Sequence, residues 1–403
     1  MKTILIVSHV APWPATHGNE IRLQRLILWL RSRHHRIVLT LTQPHFDADQ
    51  LSLIRSYVDR LEVASPRHPL LSFRSRVDRC KDFLRKVLPL SSHSTPSGAG
   101  AMHDLADQLC PIYVTTLVQR IAEQESINLL LAYYAFTIRA FAGLPSNIQL
   151  LCDTVEVFSM PRYAESGALI EPVLSFSPDE EKAFLRRCDV VIGIQAEEAS
   201  YLRRLLPGRE VITVGIDSDL PLSTVFPSRV SQMIGIIGSD NLANREGLAL
   251  FLDQSWPMIH AQCPESRLCI AGKLGLTLRD NDQHALPDGV TTLGWIPDLS
   301  HFYRDLRLVV NPVVRGTGLK IKSVEALAHG RPLVAYPVGL EGITSSSELP
   351  WIEVADSTAM SVACIALLQD PARCDAMAEA ARSYAQQSLG ADHVYGPLVA
   401  FLP

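Results

Sequence analysis

A strand, a glycine-containing loop, a helix and a second strand follow one another between residues 308 and 335. The runs at 308–310 and 333–335 are short and apolar, as is typical of strands buried on both faces of a parallel sheet. The apolar residues of the predicted helix recur at helical spacing: Ile321, Val324, Leu327 and Ala328. Gly330 follows as a natural helix stop. This order of elements predicts a parallel α/β sheet.

The start of this helix predicts an anion-binding site. Gly316 and Gly318 place uncovered backbone amides before the helix, at the end where the macrodipole favours negative charge. Lys320 and Lys322 add two cations in the first turn, where the dipole disfavours them. An anionic ligand, such as a phosphate group, would offset that cost.

Lys322, Glu325 and His329 are three and four residues apart and therefore share one face of the helix. One interpretation is that this face belongs to the phosphate site. The other is a solvated stripe with a Lys322–Glu325 ion pair, which such spacing produces equally often.

Similar strand and helix patterns recur along the whole chain of 403 residues, which is long for a single core. A first series of strands is predicted at 4–8, 37–42, 129–133, 148–152, 190–194 and 211–214. After a polar, proline-bearing stretch that ends at Arg229, a second series is predicted at 234–238, 268–272, 290–293, 308–310, 333–336 and 352–354. We therefore expect an α/β protein with two Rossmann-like, doubly wound domains that face each other across a cleft.

The expected domains are residues 1–215, 216–375 and a C-terminal helical segment, 376–403, that packs back toward the first domain. In the first domain, Gly18 and Asn19 lie in the loop after the first strand, where ligands bind in such sheets. Asp153 follows another strand and faces the same crevice, although it could equally cap the next segment. The loop lacks GxGxxG, so the nicotinamide and flavin fingerprint is absent, and Gly18 alone is consistent with a plain turn.

Residues 67–88 predict a basic amphipathic helix. Residues 67–86 contain seven cations and two anions, a net charge of +5 in a chain whose net charge is −5. Such a helix is typical of attachment to an anionic membrane surface, and the alternative is an ordinary surface helix packed on its domain.

Composition excludes several other classes of protein. With 47% hydrophobic and 20% charged residues the chain is globular, and its acidic balance gives no reason to expect nucleic acid. The eight cysteines form no CxxC pair, so we expect buried, reduced thiols, no zinc site and a cytoplasmic protein. No apolar run reaches membrane-spanning length.

Several segments together resemble the GT-B-fold glycosyltransferases of family 4, which are retaining and use nucleotide sugars. The matching segments are Gly18 with Arg22, residues 180–194, Gly238-Ser239-Asp240 with Asn244, residues 294–298 and residues 316–332. The last segment is the most specific. It is similar to the bacterial subgroup that assembles exopolysaccharides or lipid-linked glycans.

The resemblance implies a role for individual residues. Glu325 matches the second glutamate of the E-x7-E pattern, which binds the donor ribose, while Thr317 stands where the first glutamate is expected. Ser239 stands in place of the usual phosphate-binding arginine, so Lys320 and Lys322 would hold the diphosphate with the amides of Gly318 and Leu319. The remaining expected donor contacts are Gly238, Asn244, Gly316, Trp295 and Ile296, the last two beside the nucleobase. Core packing is the alternative for Trp295.

The implied function is transfer of a sugar from a nucleotide-diphosphate donor to a glycan or lipid-linked acceptor, with retention and without a metal or cofactor. Gly18, Asn19 and Asp153 would lie on the acceptor side, and the enzyme would work in the cytoplasm, at the inner face of the membrane if the acceptor is lipid-linked. Two alternatives stay open: a nucleotide-sugar 2-epimerase, for which Asp153 and Glu156 are the only carboxylate pair, and a non-catalytic nucleotide- or glycan-binding relative.

Overall fold

The computed structural model describes most of the chain, in nine segments. These are residues 1–15, 17–67, 106–160, 176–218, 231–280, 286–296, 298–316, 319–343 and 349–402. The basic helix predicted at 67–88 lies outside the described residues except for Arg67, and Thr317 and Gly318 of the predicted anion site also lie outside them. The chain divides into two compact units, Met1–Gly215 with Pro397–Pro403, and Ile216–Gly396.

The first unit is built around a seven-stranded sheet in which every strand pair is parallel. Its strands are β1 (Thr3–Ser8), β2 (Arg36–Leu41), β3 (Arg60–Val63), β4 (Leu129–Tyr133), β5 (Gln149–Asp153), β6 (Val190–Gly193) and β7 (Glu210–Thr213). Its helices are α1 (Gly18–Ser32), α2 (Ala48–Tyr57), α3 (Ile112–Gln124), α4 (Pro178–Leu185) and α5 (Ala196–Leu205). The strand order β3-β2-β1-β4-β5-β6-β7 reverses direction between β1 and β4. Ligands bind at such a switch point in doubly wound sheets.

The second unit repeats this plan with six parallel strands. Its strands are β8 (Met233–Ile237), β9 (Arg267–Ala271), β10 (Val290–Thr292), β11 (Leu308–Asn311), β12 (Leu333–Ala335) and β13 (Trp351–Glu353). Its helices are α6 (Leu242–Leu250), α7 (Trp256–Gln262), α8 (Lys273–Asp280), α9 (Leu299–Asp305), α10 (Ile321–Ala328), α11 (Ser357–Gln369), α12 (Pro371–Ser388) and α13 (Ala391–Val394). The order β10-β9-β8-β11-β12-β13 places the switch point between β8 and β11.

The central strands are apolar because both faces of each sheet are covered. In β1, all residues after Thr3 are buried, and β4 and β11 are buried throughout. A single core in the second unit joins residues from the sheet to the helices around it, including Ile236, Phe251 and Trp256. This double burial explains why the predicted strands were recognisable as continuous apolar runs.

All twelve predicted strands are confirmed, and no end differs from its predicted position by more than one residue. The strand that the sequence analysis missed is β3, whose sequence Arg60-Leu61-Glu62-Val63 is half-buried at the edge of its sheet. Seven cysteines lie in the described part of the chain, and all seven are buried free thiols, as predicted. None of the described helices is long and apolar enough to span a membrane.

Candidate functional site

The carboxyl ends of β8 and β11 are neighbours, because these strands pair in parallel. Two chain segments leave the sheet there: the turn into α6 and the longer connection from β11 to α10. Gly247 of α6 allows the two segments to pack together, since a Cβ atom at that position would lie 2.4 Å from the Pro312 carbonyl oxygen. Residues from both segments are thereby brought to one edge of the second sheet.

Asn244 organises the turn between β8 and α6. Its backbone amide donates to the Asn241 side chain at 2.9 Å, which caps the helix, and its own side-chain amide donates to the Ser239 carbonyl oxygen at 2.8 Å. Asn244 is 8% exposed. A side chain at Gly238 would crowd it, because a Cβ atom there would lie 3.0 Å from the Asn244 amide nitrogen. Gly238, Ser239 and Asn244, all predicted donor contacts, therefore form one packed unit.

The two lysines at the start of α10 each have a polar partner. Lys322 Nζ donates to Asn244 Oδ1 at 2.5 Å, which joins α10 to the β8–α6 turn. Lys320 Nζ lies 3.2 Å from Glu341 Oε2, with the lysine side chain 10% exposed and the glutamate 39% exposed. Lys320, Lys322, Ser239 and Asn244 thus meet at the β8/β11 switch point, and we refer to this edge as the lysine edge.

Burial changes the acidity of one of these lysines. Lys322 is removed from water and lies near the charge of Lys320, and both effects lower its pKa from 10.5 to about 7. Its partner Asn244 is neutral, so no negative charge at that contact restores the pKa. The site therefore holds a cation that an anionic ligand would stabilise in its protonated form.

A buried polar network fixes where α10 begins. Asn311, the last residue of β11, donates through its side-chain amide to Ser323 Oγ at 2.8 Å and to the Gly339 carbonyl oxygen at 3.2 Å. Ser323 Oγ donates to the same carbonyl at 2.7 Å. Asn311 is 1% and Ser323 0% exposed, so the network is strong in its low-dielectric surroundings. It anchors α10 to β11 and to the segment after β12.

The predicted helix has the expected limits: α10 ends at Ala328, and Gly330 follows with φ of +66°. The alternative of a solvated stripe along its face is wrong, because Glu325 is 9% and His329 3% exposed. The His329 ring stacks on Tyr303 of α9 with ring centroids 4.3 Å apart. His329 therefore supports the packing of α10, while Glu325 lies one turn closer to the lysine edge.

The loop before α10 is only partly described. Gly316 has φ of +119°, a conformation that favours glycine, and Arg315 forms an exposed ion pair with Glu246 of α6. Leu319 is half-buried. The predicted contribution of Thr317 and Gly318 to the site lies outside the described residues.

Trp295 and Ile296 follow β10 in the loop at the same edge of the second sheet. Trp295 is 59% exposed, so core packing does not explain it. Ile296 is half-buried. An exposed indole beside a ligand-binding edge offers a surface on which a planar ring can stack.

The predicted acceptor-side residues lie in the first unit, and Asp153 is buried there. The carboxylate of Asp153 accepts from Arg22 Nε at 2.9 Å and from Arg22 Nη2 at 3.1 Å, and both side chains are 2% exposed. Arg22 Nη2 also donates to the Val214 carbonyl oxygen at 2.8 Å, and Nη1 donates to that of Gly215. The Arg22–Asp153 pair therefore joins α1 to β5, and Arg22 also joins α1 to the segment after β7.

Gly18 and Asn19 begin α1 near the β1/β4 switch point of the first sheet. Asn19 donates through its side chain to the Tyr134 hydroxyl at 3.1 Å, and its carbonyl oxygen accepts from the Tyr133 hydroxyl at 2.5 Å. Asn19 is half-buried.

Glu341 and Tyr134 are among the residues at these edges that the sequence analysis did not indicate. Tyr134 directly follows β4, so its position after a strand of the switch point could have identified it. Glu341 is paired with Lys320 across 21 residues, and no local pattern indicates that contact. No group of three or more His, Cys, Asp or Glu side chains suited to a metal ion occurs within the described part of the chain.

Comparison with known proteins finds a family match within the second unit. Residues 231–370, which include the lysine edge, match the family model of glycosyl transferases group 1. No curated protein sequence matches the chain significantly.

Solved structures resemble the chain over its full length. Sucrose-phosphate synthase from Thermosynechococcus elongatus has a TM-score of 0.66 at 19% identity, with 100% of this chain and 99% of that chain covered. Anabaena HepE in complex with UDP and glucose has a TM-score of 0.66 at 14% identity, with the same coverage. A variant of S. aureus TarM in complex with Fondaparinux, alpha-GlcNAc-glycerol and UDP has a TM-score of 0.66 at 11% identity, with 99% of each chain covered.

These structural similarities establish the two-unit GT-B fold, and the family match covers the unit that carries the lysine edge. The chain therefore has the GT-B fold, and residues 231–370 of its second unit match a glycosyltransferase family model.

Proposed function

We propose that the lysine edge binds the diphosphate of a nucleotide sugar, and that the enzyme transfers the sugar to a glycan or lipid-linked acceptor with retention and without a metal ion. The observation that carries the proposal is the position of Lys320 and Lys322 at the N-terminus of α10, at the β8/β11 switch point. UDP is the first nucleotide to test, since HepE and TarM each have a structure in complex with it.

The placement of these cations suits the chemistry. When the bond between sugar C1 and the diphosphate oxygen breaks, negative charge grows on the leaving group. Lysines and helix amides placed beside that oxygen stabilise the transition state more than the ground state. Lys322 and Lys320 would supply the charge that a metal ion supplies in other enzymes, while retention would follow if the leaving oxygen accepts the acceptor proton.

The other donor contacts follow from positions at the same edge. Glu325, one turn after Lys322, would accept hydrogen bonds from the ribose hydroxyls. Trp295 and Ile296 would lie along the nucleobase, and Ser239 with Asn244 would bind near the phosphates. The bond between Lys322 and Asn244 would be exchanged for a bond between Lys322 and a phosphate oxygen.

The epimerase alternative needs two carboxylates as acid and base, and one of them, Asp153, is already bonded to Arg22. Asp153 is buried and receives several hydrogen bonds from Arg22, so its carboxylate is engaged in the first unit's packing. The pair of Asp153 and Glu156 is therefore poorly placed for acid–base work on a sugar. We favour transfer over epimerisation.

The test of transfer is release of free UDP that depends on both a UDP-sugar and an acceptor extract. We expect Lys322→Met to lower turnover at least about tenfold, which corresponds to roughly 1.4 kcal/mol of barrier, because a charge-assisted contact to the leaving group is lost. Lys182→Met in α4 is a matched control, since Lys182 is exposed and lies in the first unit. Full activity in both the Lys320→Met and Lys322→Met variants would remove the lysines from the site.

A lipid-linked acceptor would require the enzyme to reach the membrane surface. We propose peripheral binding through residues 67–88, whose first twenty residues carry a net charge of +5. Attraction of this kind falls off within about one Debye length, roughly 10 Å at 0.1 M salt. Replacing Arg74, Arg76 and Arg79 by Glu should release the protein from anionic liposomes without changing UDP affinity. Failure of the wild-type protein to sediment with such liposomes at low salt would favour a soluble acceptor.

A further inference from the structure

His9 is the first residue after β1, at the β1/β4 switch point of the first sheet. The backbone around it is fixed by Ser8, whose hydroxyl accepts from the Val10 amide at 3.0 Å and donates to the Val10 carbonyl oxygen at 2.8 Å. His9 itself is half-buried. The imidazole is therefore held at the edge of the sheet where ligands bind in this type of fold.

The surroundings of the imidazole are aromatic. The His9 ring meets Tyr134 edge-on with centroids 4.7 Å apart, and Phe136 with centroids 5.0 Å apart. Among the described residues, His9 Nδ1 has no hydrogen-bond partner although the atom is buried. Such an atom is costly and uncommon in folded proteins, and ring positions of this kind are often completed by a ligand or water.

His9 is uncharged at neutral pH. Burial lowers its pKa to about 4, so the ring offers one N–H donor and one nitrogen acceptor near pH 7. The Tyr134 ring lies against the imidazole, and the Tyr134 hydroxyl accepts from the side-chain amide of Asn19 at 3.1 Å. We refer to His9, Asn19 and Tyr134 as the His9 cluster, and each member is a neutral group that can both donate and accept.

Three charged groups act on Tyr134: the carboxylates of Glu156 and Asp153 and the guanidinium of Arg22. Arg22 and Asp153 form a buried ion pair, and Arg22 is bonded further to the carbonyl oxygens of Val214 and Gly215. Tyr134 is also held in an unusual backbone conformation, with φ of +78°, that a bulky residue rarely adopts. Strain of this kind often accompanies ligand-binding positions.

We propose that the His9 cluster binds an uncharged, hydroxyl-rich part of the acceptor, such as a sugar ring, rather than a phosphate group. Hydroxyls both donate and accept, which matches a neutral imidazole, an amide and a phenol. A phosphate is best matched by cations, but Arg22 is already engaged by Asp153, and the charge of Glu156, which acts on Tyr134, would repel a phosphate. This inference rests on the proposed function, because it takes the first unit to be the acceptor side.

The experiment uses the full chain labelled with 15N at histidine and saturated with UDP. Methyl α-glucoside, methyl α-mannoside and methyl β-galactoside are titrated separately, and inorganic phosphate is titrated as the charged probe. We expect at least one glycoside to shift the His9 ring signals at millimolar concentration, whereas phosphate leaves them unchanged. His9 signals that respond to phosphate alone, or to none of the glycosides, would overturn the inference.

Two variants assign the His9 ring signals and measure how much His9 contributes to glycoside binding. His9→Asn should remove the shifted signals and raise the KM for the responding glycoside about fivefold, the weight of one neutral hydrogen bond, while the Kd for UDP stays unchanged. His34→Asn is the matched control, since His34 is exposed, has φ of +61° that Asn tolerates, and lies before β2 at the opposite edge of the sheet. An unchanged KM in folded His9→Asn would also overturn the inference. Absence of UDP binding or of any transfer would instead contradict the proposed function, whatever the His9 signals do.

Discussion

The carboxyl edges of the two sheets have the same backbone plan but differ in whether their cations have carboxylate partners. At the lysine edge of the second unit, Lys322 is bonded to a neutral amide, and its pKa is lowered to about 7. At the corresponding edge of the first unit, Arg22 is matched by Asp153 in a buried pair, and His9 is neutral. The first arrangement leaves positive charge for a ligand to neutralise, and the second does not.

The fold determines where a ligand can bind, and the side chains determine which ligand charge is favoured there. Both switch points bring loops from two neighbouring parallel strands together, which is a property of the doubly wound sheet. The choice between an anionic and an uncharged ligand then depends on whether the cations there have carboxylate partners. Lys320 falls between these two cases. It has a carboxylate partner, Glu341, but that side chain remains 39% exposed and can move away.

The largest expected effect is a loss of stability when the buried ion pair of Arg22 and Asp153 is broken. We expect Arg22→Met to lower the free energy of unfolding by about 3–5 kcal/mol, because it leaves the Asp153 carboxylate buried without its cation. Denaturant unfolding followed by fluorescence measures this loss. Arg31→Met is the matched control: Arg31 is also in α1, but its pair with Asp59 is 38% and 33% exposed, so its loss should cost less than about 1 kcal/mol.

If Arg22→Met and Arg31→Met lower the free energy of unfolding equally, the buried pair contributes no more to the stability of the first unit than an exposed pair does. The double variant Arg22→Met with Asp153→Leu sharpens the test. Replacing both charges by apolar groups should recover much of the stability that the single variant loses.

A smaller effect, confined to nucleotide binding, is expected at Glu325. Glu325→Ala should weaken UDP binding about tenfold while α10 persists, because alanine is the strongest helix former and the carboxylate proposed to hold the ribose is lost. Titration calorimetry measures the affinity. Glu265→Ala, at an exposed turn before β9, should leave the UDP affinity unchanged. An unchanged affinity in folded Glu325→Ala would exclude Glu325 from the ribose site.

The smallest expected effect is a pH dependence of stability and of UDP affinity that arises from Lys322. The pKa of Lys322 is about 7 in the folded protein and 10.5 ordinarily, so the unfolded chain binds more protons between these values. The free energy of unfolding without ligand should therefore rise with pH from about 7 to about 10.5. If Lys322 binds the diphosphate as proposed, the bound diphosphate restores its charge, so UDP affinity should fall over the same range.

Calorimetry near pH 8.5 in two buffers of different ionisation enthalpy measures the proton uptake. We expect uptake of up to about one proton per UDP in the wild type and none in Lys322→Met. An uptake that persists in the variant would assign the titrating group elsewhere.

The strands of both sheets could be predicted from the sequence, because each is indicated by residues within the strand itself. Continuous apolar runs identify doubly buried strands, whereas β3 at the edge, with Arg60 and Glu62, carries no such signal. The end of α10 was predictable for the same reason, since the apolar spacing lies within the helix and Gly330 follows directly after it.

The contacts of the sites could not be predicted in that way. Lys322 meets Asn244 across 78 residues, and Arg22 meets Asp153 across 131 residues, so both contacts depend on which strands become neighbours. The charges of Lys320 and Lys322 indicated an anion site, but the lowered pKa of Lys322 arises from burial. The neutral state of His9 likewise arises from its aromatic surroundings.

The central claim, that Lys322 binds the diphosphate, is tested most directly by comparing UDP with uridine in calorimetric titrations of the wild type and Lys322→Met. The claim predicts that the variant loses at least about tenfold in UDP affinity, roughly 1.4 kcal/mol, while its affinity for uridine stays the same. The selectivity for UDP over uridine would then fall by that same factor. Equal UDP affinity in the two proteins, or an equal loss for UDP and uridine, would contradict the claim.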